Sequence, residues 1–283
     1  MNFALIPALF LGGPVIAVPL GLSLLRRQTF DKHQEVLLQI ARWVHPFAAI
    51  GVVVSFKMLP GLLAAGLTIP WLLLGGLLGL TGLLRFISGG WRFPTICYSA
   101  ALAYLPIGAV WLFASRAGIN PGGFGEPIVL LTAVHFHFSG FGASILAGEV
   151  TRRLPEHSWV QRWIVLGSLF GTPLIAAGFV FFPLLKMVAI VFFCSTLVTL
   201  AVMQFVLTRR MENRWPRLAL QISSCSIAIG MMLAAIYGIT DYFDWAALSI
   251  PQMARWHGTL NALGFTLCGL IGWWLKSKQE NCQ

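Results

Sequence analysis

Two histidines open similar runs in apolar surroundings. His135 begins HFHFSGFG and His257 begins HGTLNALG, and a glycine follows each seven residues later, Gly142 and Gly264. Imidazole titrates near neutral pH, binds metals through either ring nitrogen and moves protons. In hydrocarbon such a ring is costly unless something partners it, so an intramembrane histidine is a site candidate by default. Two chemistries suit the pair. The rings would serve as axial ligands of a haem or hold a transition metal; otherwise they would move protons on an olefin, quinone or other lipid-soluble molecule. At 3.6 residues per turn His135, Ser139 and Gly142 share one face, as do His257, Asn261 and Gly264, and a small residue there admits a helix or a flat ligand. The expected site is one buried cavity open toward the outer leaflet. His135, His257 and Asn261 are its catalytic candidates, and Ser139, Gly142 and Gly264 line the substrate. His137 joins the catalytic candidates, but it lies about 200° round the helix from His135, so a bond to a neighbouring helix competes with that role. His45, beside Pro46, marks a kink whose freed carbonyl needs a partner and is a further lining candidate.

The elements that must carry these residues follow from composition. The chain of 283 residues is 58% hydrophobic and 10% charged, with mean hydropathy +0.81, against about 25% charged residues in soluble domains. Nine apolar spans fit: roughly Asn2–Leu25, Glu35–Phe56, Gly61–Leu84, Thr95–Ser115, Pro127–Glu149, Trp159–Phe182, Leu184–Leu207, Pro216–Ile239 and Ser249–Leu275. Continuous runs of this length are helices, because a barrel strand would alternate. The expected fold is all-α, a polytopic bundle of nine transmembrane helices. The N-terminus lacks a basic region and a small-residue cleavage site, so its first span reads as retained.

The net charge of +10 does not indicate nucleic acid. Fourteen of the nineteen basic residues fall in alternate loops: Arg26, Arg27 and Lys32; Arg85 and Arg92; Arg152, Arg153 and Arg162; Arg209, Arg210, Arg214 and Arg217; Lys276 and Lys278. The other loops hold Lys57, Arg116, Lys186 and Arg255. Basic loops face the cytoplasm, which puts the chain in the inner membrane with its N-terminus outside and its C-terminus inside. The expected partners are the lipid bilayer and a lipophilic small molecule. The five cysteines, Cys97, Cys194, Cys225, Cys268 and Cys282, form no CxxC pair and give neither a disulfide framework nor a zinc site.

An internal repeat adds order. The 122 residues between His135 and His257 also separate Arg92 from Arg214, Pro94 from Pro216 and Gly108 from Gly230, while 120 residues separate Arg42, Trp43 and Gly51 from Arg162, Trp163 and Gly171. Helices 2–5 then correspond to helices 6–9 in a 1+4+4 arrangement within one transmembrane domain: residues 1–34 are an extra helix and loop, 35–152 the first copy and 153–283 the second. Four helices per copy insert in the same direction, so the pseudo-axis runs along the membrane normal. Neither His45 nor His137 has a counterpart. Glu149, with Arg152 and Arg153 three and four residues on, reads as an interfacial ion pair. Trp71, Trp111, Trp159, Trp163, Trp256, Trp273 and Trp274 partly fit an aromatic belt. GINPGGFGE, residues 118–126, is turn chemistry without the ending of a phosphate loop.

The stretches TAVHFHFSGF (Thr132–Phe141) and MARWHGTLNALGF (Met253–Phe265) resemble motifs of the YndJ-like bacterial membrane proteins, and ALAYLPIGAVWLFASRAG (Ala101–Gly118) resembles the helix before the histidine motif in that family. The resemblance runs from about Pro94 to Phe265. It implies a bacterial integral membrane protein and singles out His135, His137, His257 and Asn261 without giving them a reaction, although the family is sometimes labelled a transporter. Two function classes follow from the residues. One is an intramembrane enzyme or redox protein, of isomerase, cyclase or oxidoreductase type, acting on a lipid-soluble substrate. The other is a proton-coupled transporter of a small solute. Sparse polar groups, concentrated toward one leaflet, favour the first.

Overall fold

The computed structural model describes residues 5–26, 28, 30–89, 92–245 and 248–280. Asn2, Arg27, Cys282 and Gln283, which the sequence reading used, lie outside the described residues. Among the described residues there is no strand, and nine helices are long and apolar enough to cross a membrane. They are α1 (Leu5–Leu25), α2 (Lys32–Ser55), α3 (Leu62–Ser88), α4 (Phe93–Ala117), α5 (Ile128–Thr151), α6 (Trp159–Val180), α7 (Pro183–Thr208), α8 (Arg214–Tyr242) and α9 (Ile250–Glu280).

Several helices begin before the apolar run does, because capping residues recruit a polar first turn. The Asp31 side chain accepts the Gln34 amide at 2.9 Å, while Gln34 Oε1 accepts the Asp31 amide, a capping box that starts α2 at Lys32. Asn213 caps α8 through the Trp215 amide. Arg116, expected in a loop, belongs to the last turn of α4 and is only 7% exposed. Its Nη2 donates to the carbonyls of Ser55 and Met58 at 3.0 and 2.7 Å, so a guanidinium satisfies the carbonyls that the end of α2 leaves open. Along α2, Val36, Ile40, Trp43, Phe47, Ile50 and Val54 form one exposed stripe, with Trp43 at 75%.

Three helices depart from α geometry. Gly13–Ala17 in α1, Phe136–Gly142 in α5, and Ala254–Gly258 with Leu260–Leu267 in α9 are π-helical, a widening that recurs at functional sites.

The chain divides into two compact units, Asn2–Ser144 and Ile145–Gln283; the division falls inside α5. In the N-terminal unit α3 packs on α4 and on α2, and α4 packs on the first part of α5. Gly75, Gly79 and Gly82 let α3 approach: a Cβ at Gly79 would meet Pro106 at 2.7 Å, and one at Gly82 the Ser99 carbonyl at 2.7 Å. Small residues at this spacing replace the hydrophobic effect as the means of joining helices in lipid. In the C-terminal unit α6 packs on α7, α7 on α8 and α8 on α9. There Glu149 is 1% exposed and takes Arg152 Nε at 2.9 Å and Arg153 Nη1 at 2.7 Å, while Arg153 also lies 4.1 Å over the Trp273 ring. The ion pair read from the sequence at i+3 and i+4 is present, with its carboxylate buried.

Candidate functional site

The π segment of α5 has a local cause. Three side chains turn back onto the carbonyl four residues earlier: Thr132 Oγ1 onto Ile128 at 2.9 Å, His135 Nδ1 onto Leu131 at 2.7 Å and His137 Nδ1 onto Ala133 at 2.8 Å. Each occupies an acceptor that an α-helix reserves for its own amide, and such back-bonding loosens the ladder. Gly140 and Gly142 follow and resist little. Because a carbonyl only accepts, each imidazole carries its proton on Nδ1 and keeps its lone pair on Nε2.

The two rings then diverge. His135 is exposed. His137 is fully buried, and its Nε2 accepts the Trp71 indole N–H at 3.1 Å. The two ring planes lie 25° apart with centroids 5.8 Å apart, which suits a bond made edge to edge. Both nitrogens of His137 are therefore used. Gly108 of α4 makes room for this ring: a Cβ there would stand 2.7 Å from Nδ1. His45 also packs on Trp71, with its centroid 5.8 Å away, and donates from Nε2 to the Pro14 carbonyl at 2.8 Å, inside the π segment of α1. Phe10 meets the edge of His137 at 5.0 Å. The structure thus brings His45 and His137 together around Trp71 and turns His135 to the other face. His45 supplies the partner that a freed carbonyl needs, but the carbonyl belongs to α1 and α2 stays helical through Pro46.

In α9, His257 is half-buried and donates from Nδ1 to the Gly230 carbonyl of α8 at 2.9 Å. Again the lone pair is on Nε2. The Asn261 amide nitrogen is 3.0 Å from Nε2 and 3.3 Å from Nδ1. Nearly equidistant from both, it lies over the ring face and not along an in-plane lone pair, a weak N–H to π contact that suits a neutral ring. Asn261 Oδ1 is buried without a hydrogen-bond partner and packs on Gly230, whose missing side chain gives it space. Gly264 admits the Ser226 hydroxyl in the same way. His257, Asn261 and Gly264 are thus all placed against α8. On α5, Ser139 is half-buried and Gly142 buried, and it is Gly140 that packs closely, against Tyr104. The face shared by His135, Ser139 and Gly142 was read on α geometry, which this segment lacks.

Sequence reasoning missed three participants. Trp71 and Trp273, assigned to an aromatic belt, are 2% and 0% exposed and spend their N–H groups inside the units. Gln204, fully buried, accepts from Trp273 Nε1 at 3.1 Å and donates to Ser223 Oγ at 2.9 Å. A glutamine inside an apolar span, one turn from its C-terminal end, was the available signal. Among the described residues no three His, Cys, Asp or Glu side chains gather as a metal-binding group.

The sequence profile of the YndJ-like protein family matches residues 8–265. The chain belongs to this family. It is similar to an uncharacterized membrane protein YndJ of Bacillus subtilis, with 33% identity over 172 residues. That alignment takes in 61% of this chain and 31% of the relative, so the match spans about a third of the relative's length. No solved structure matches. Family and helices together make the chain an integral membrane protein.

Proposed function

We propose that this YndJ-like protein is an intramembrane enzyme that moves protons on a lipid-soluble substrate, with His135 and His257 as the working groups. One observation carries the reading: in each motif a backbone carbonyl holds the Nδ1 proton, at 2.7 Å for His135 and 2.9 Å for His257, which assigns the basic lone pair to Nε2. An orienting partner on one nitrogen is what a general base needs on the other, and at His135 that nitrogen belongs to an exposed ring. His137 and His45 then hold the scaffold. The same anchoring also suits a metal-bound imidazole, so a haem or transition metal held by Nε2 is the variant to test first. A Soret band in purified protein would select it.

The test needs no prior substrate. Lipid extracts of a deletion strain are compared by mass spectrometry with those of strains carrying wild type, His135→Ala, His257→Ala or His157→Ala. A lipid that accumulates on deletion and is cleared by wild type and His157→Ala, but by neither site variant, is the expected result. If both rings serve one reaction, the double variant loses no more than either single one. Clearance by both single variants would refute the assignment.

Proton-coupled transport is the second reading, and the departures from α geometry in α1, α5 and α9 favour it, since transporter sites lie where spanning helices are interrupted. The segregation of basic residues supports placement in the inner membrane with the C-terminus in the cytoplasm. A duplicated design is supported by matching local features. Arg92 immediately precedes α4 and Arg214 is the first residue of α8. Gly108 and Gly230, 122 residues apart, each make room for a polar side chain in a π segment of the following helix. An experimental structure in which residues 35–152 fail to superpose on 153–283 would end that reading.

A further inference from the structure

A closed circuit of buried hydrogen bonds begins and ends on α9. Trp273 Nε1 of α9 donates to Gln204 Oε1 of α7 at 3.1 Å, Gln204 Nε2 donates to Ser223 Oγ of α8 at 2.9 Å, and Ser223 Oγ donates to the Phe265 carbonyl of α9 at 2.8 Å. Gln204, Ser223 and Trp273 are all 0% exposed. Every donor meets an acceptor, and no group in the circuit titrates. Gln204 reaches further to Ser224 Oγ at 3.2 Å and to the Leu220 carbonyl at 3.3 Å.

The two ends of the circuit straddle a change of helix type. Phe265 lies in the π segment Leu260–Leu267, and Trp273 lies in the α segment that resumes at Cys268. An α-helix would give the Phe265 carbonyl to the amide four residues on, whereas a π-helix bonds five residues on. A hydroxyl from α8 supplies that carbonyl with a partner from outside the helix. Gly269 keeps the path clear, since a Cβ there would stand 2.8 Å from Ser223 Oγ.

We infer that Ser223 and Gln204 are positioning residues that fix where α9 returns from π to α geometry, and so hold His257 with its Nδ1 proton on the Gly230 carbonyl. If the return point moved by one residue, the twist and rise of that residue would change, and everything before it would rotate and shift along the axis relative to α8. His257 would leave the Gly230 carbonyl and Asn261 its place beside Gly230. The inference rests on the proposal that His257 handles protons through Nε2. It adds the device that keeps the other nitrogen occupied.

The experiment is nitrogen NMR of the full chain with 15N-labelled histidine, signals being assigned by single His variants and the melting temperature measured on each sample. Wild type is expected to show His257 as the Nδ1–H tautomer. Ser223→Ala and Gln204→Leu are each expected to move it to a majority of Nε2–H, the form a free imidazole prefers, with His137 unchanged. Ser223→Thr keeps the hydroxyl and should keep the wild-type signal. If Ser223→Ala and Gln204→Leu lower the melting temperature but leave the His257 tautomer as it was, the circuit only stabilises the fold and the inference is wrong. If the tautomer moves while His257→Ala still clears the lipid, the positioning device stands and the catalytic reading falls.

Discussion

Replacing Gly108 by alanine tests the packing of the N-terminal unit where α4 meets the buried His137 ring. The added Cβ would stand 2.7 Å from His137 Nδ1, 2.8 Å from Cε1 and 3.1 Å from Phe136 Cβ. The ring has little freedom to yield. Ala133 holds Nδ1 at 2.8 Å, Trp71 holds Nε2 at 3.1 Å, and Gly13 lies so close that a Cβ there would be 3.3 Å from His137 Cβ. Overpacking of a well-filled interior costs about 1–3 kcal/mol. If the ring swings off Trp71, a further hydrogen bond is lost, worth about 0.6 kcal/mol on average in a membrane protein and at most about 1.7 kcal/mol. Against this stands a gain of about 1 kcal/mol from alanine over glycine in a helix interior. The net expectation is a loss of about 1–3 kcal/mol. Gly76 supplies the control, because nothing lies within 4 Å of a Cβ built there, so Gly76→Ala should be neutral or slightly stabilising. Unfolding in mixed micelles of dodecyl maltoside and increasing dodecyl sulfate, followed by circular dichroism, measures both. Equal stability of the two variants would refute the packing argument, and with it the role given to Gly108.

Glu149→Ala removes the acceptor from two arginines that converge on a buried carboxylate, and a loss of about 1–3 kcal/mol in the same assay is expected, since each partner retains some exposure; an unchanged midpoint would show the pair to be dispensable. A reporter fused after Gln283 should be active only in its cytoplasmic form, because the basic residues segregate to alternate loops, and activity restricted to the other side would invert the topology.

What the sequence makes legible follows from range. The spans are written in runs of apolar residues, and the α2 start is written in Asp31 and Gln34, three residues apart; both are local. The ion pair at Glu149 is equally local, at i+3 and i+4. The histidine assignments divide on the same line. His135 and His257 stand out by their repeated spacing, but the fate of His137 depends on Trp71, 66 residues away, and nothing in either neighbourhood announces the other. The faces of α5 and α9 were read at 3.6 residues per turn, and both motifs lie in π segments, where that period fails. The cause was nonetheless in view: Thr132, His135 and His137 are all side chains able to take a carbonyl four residues back. Trp273 and Gln204 eluded the pattern because tryptophans near span ends are common at interfaces, and only the fold shows which ones turn inward.

The outward stripe of α2 sets a length scale for the surroundings. From Val36 to Val54 it covers about 27 Å of helix at 1.5 Å per residue, close to the roughly 30 Å of hydrocarbon in a typical bilayer. Below it, the capping box at Asp31 fixes a polar boundary that cannot sink into lipid without losing water. Lipids with longer acyl chains would draw that boundary inward, and the chain would answer by thinning the bilayer locally or by changing its tilt. The acyl-chain length of the host membrane is therefore a variable to which this protein is tuned, and reconstitution in bilayers of graded thickness should show a stability maximum.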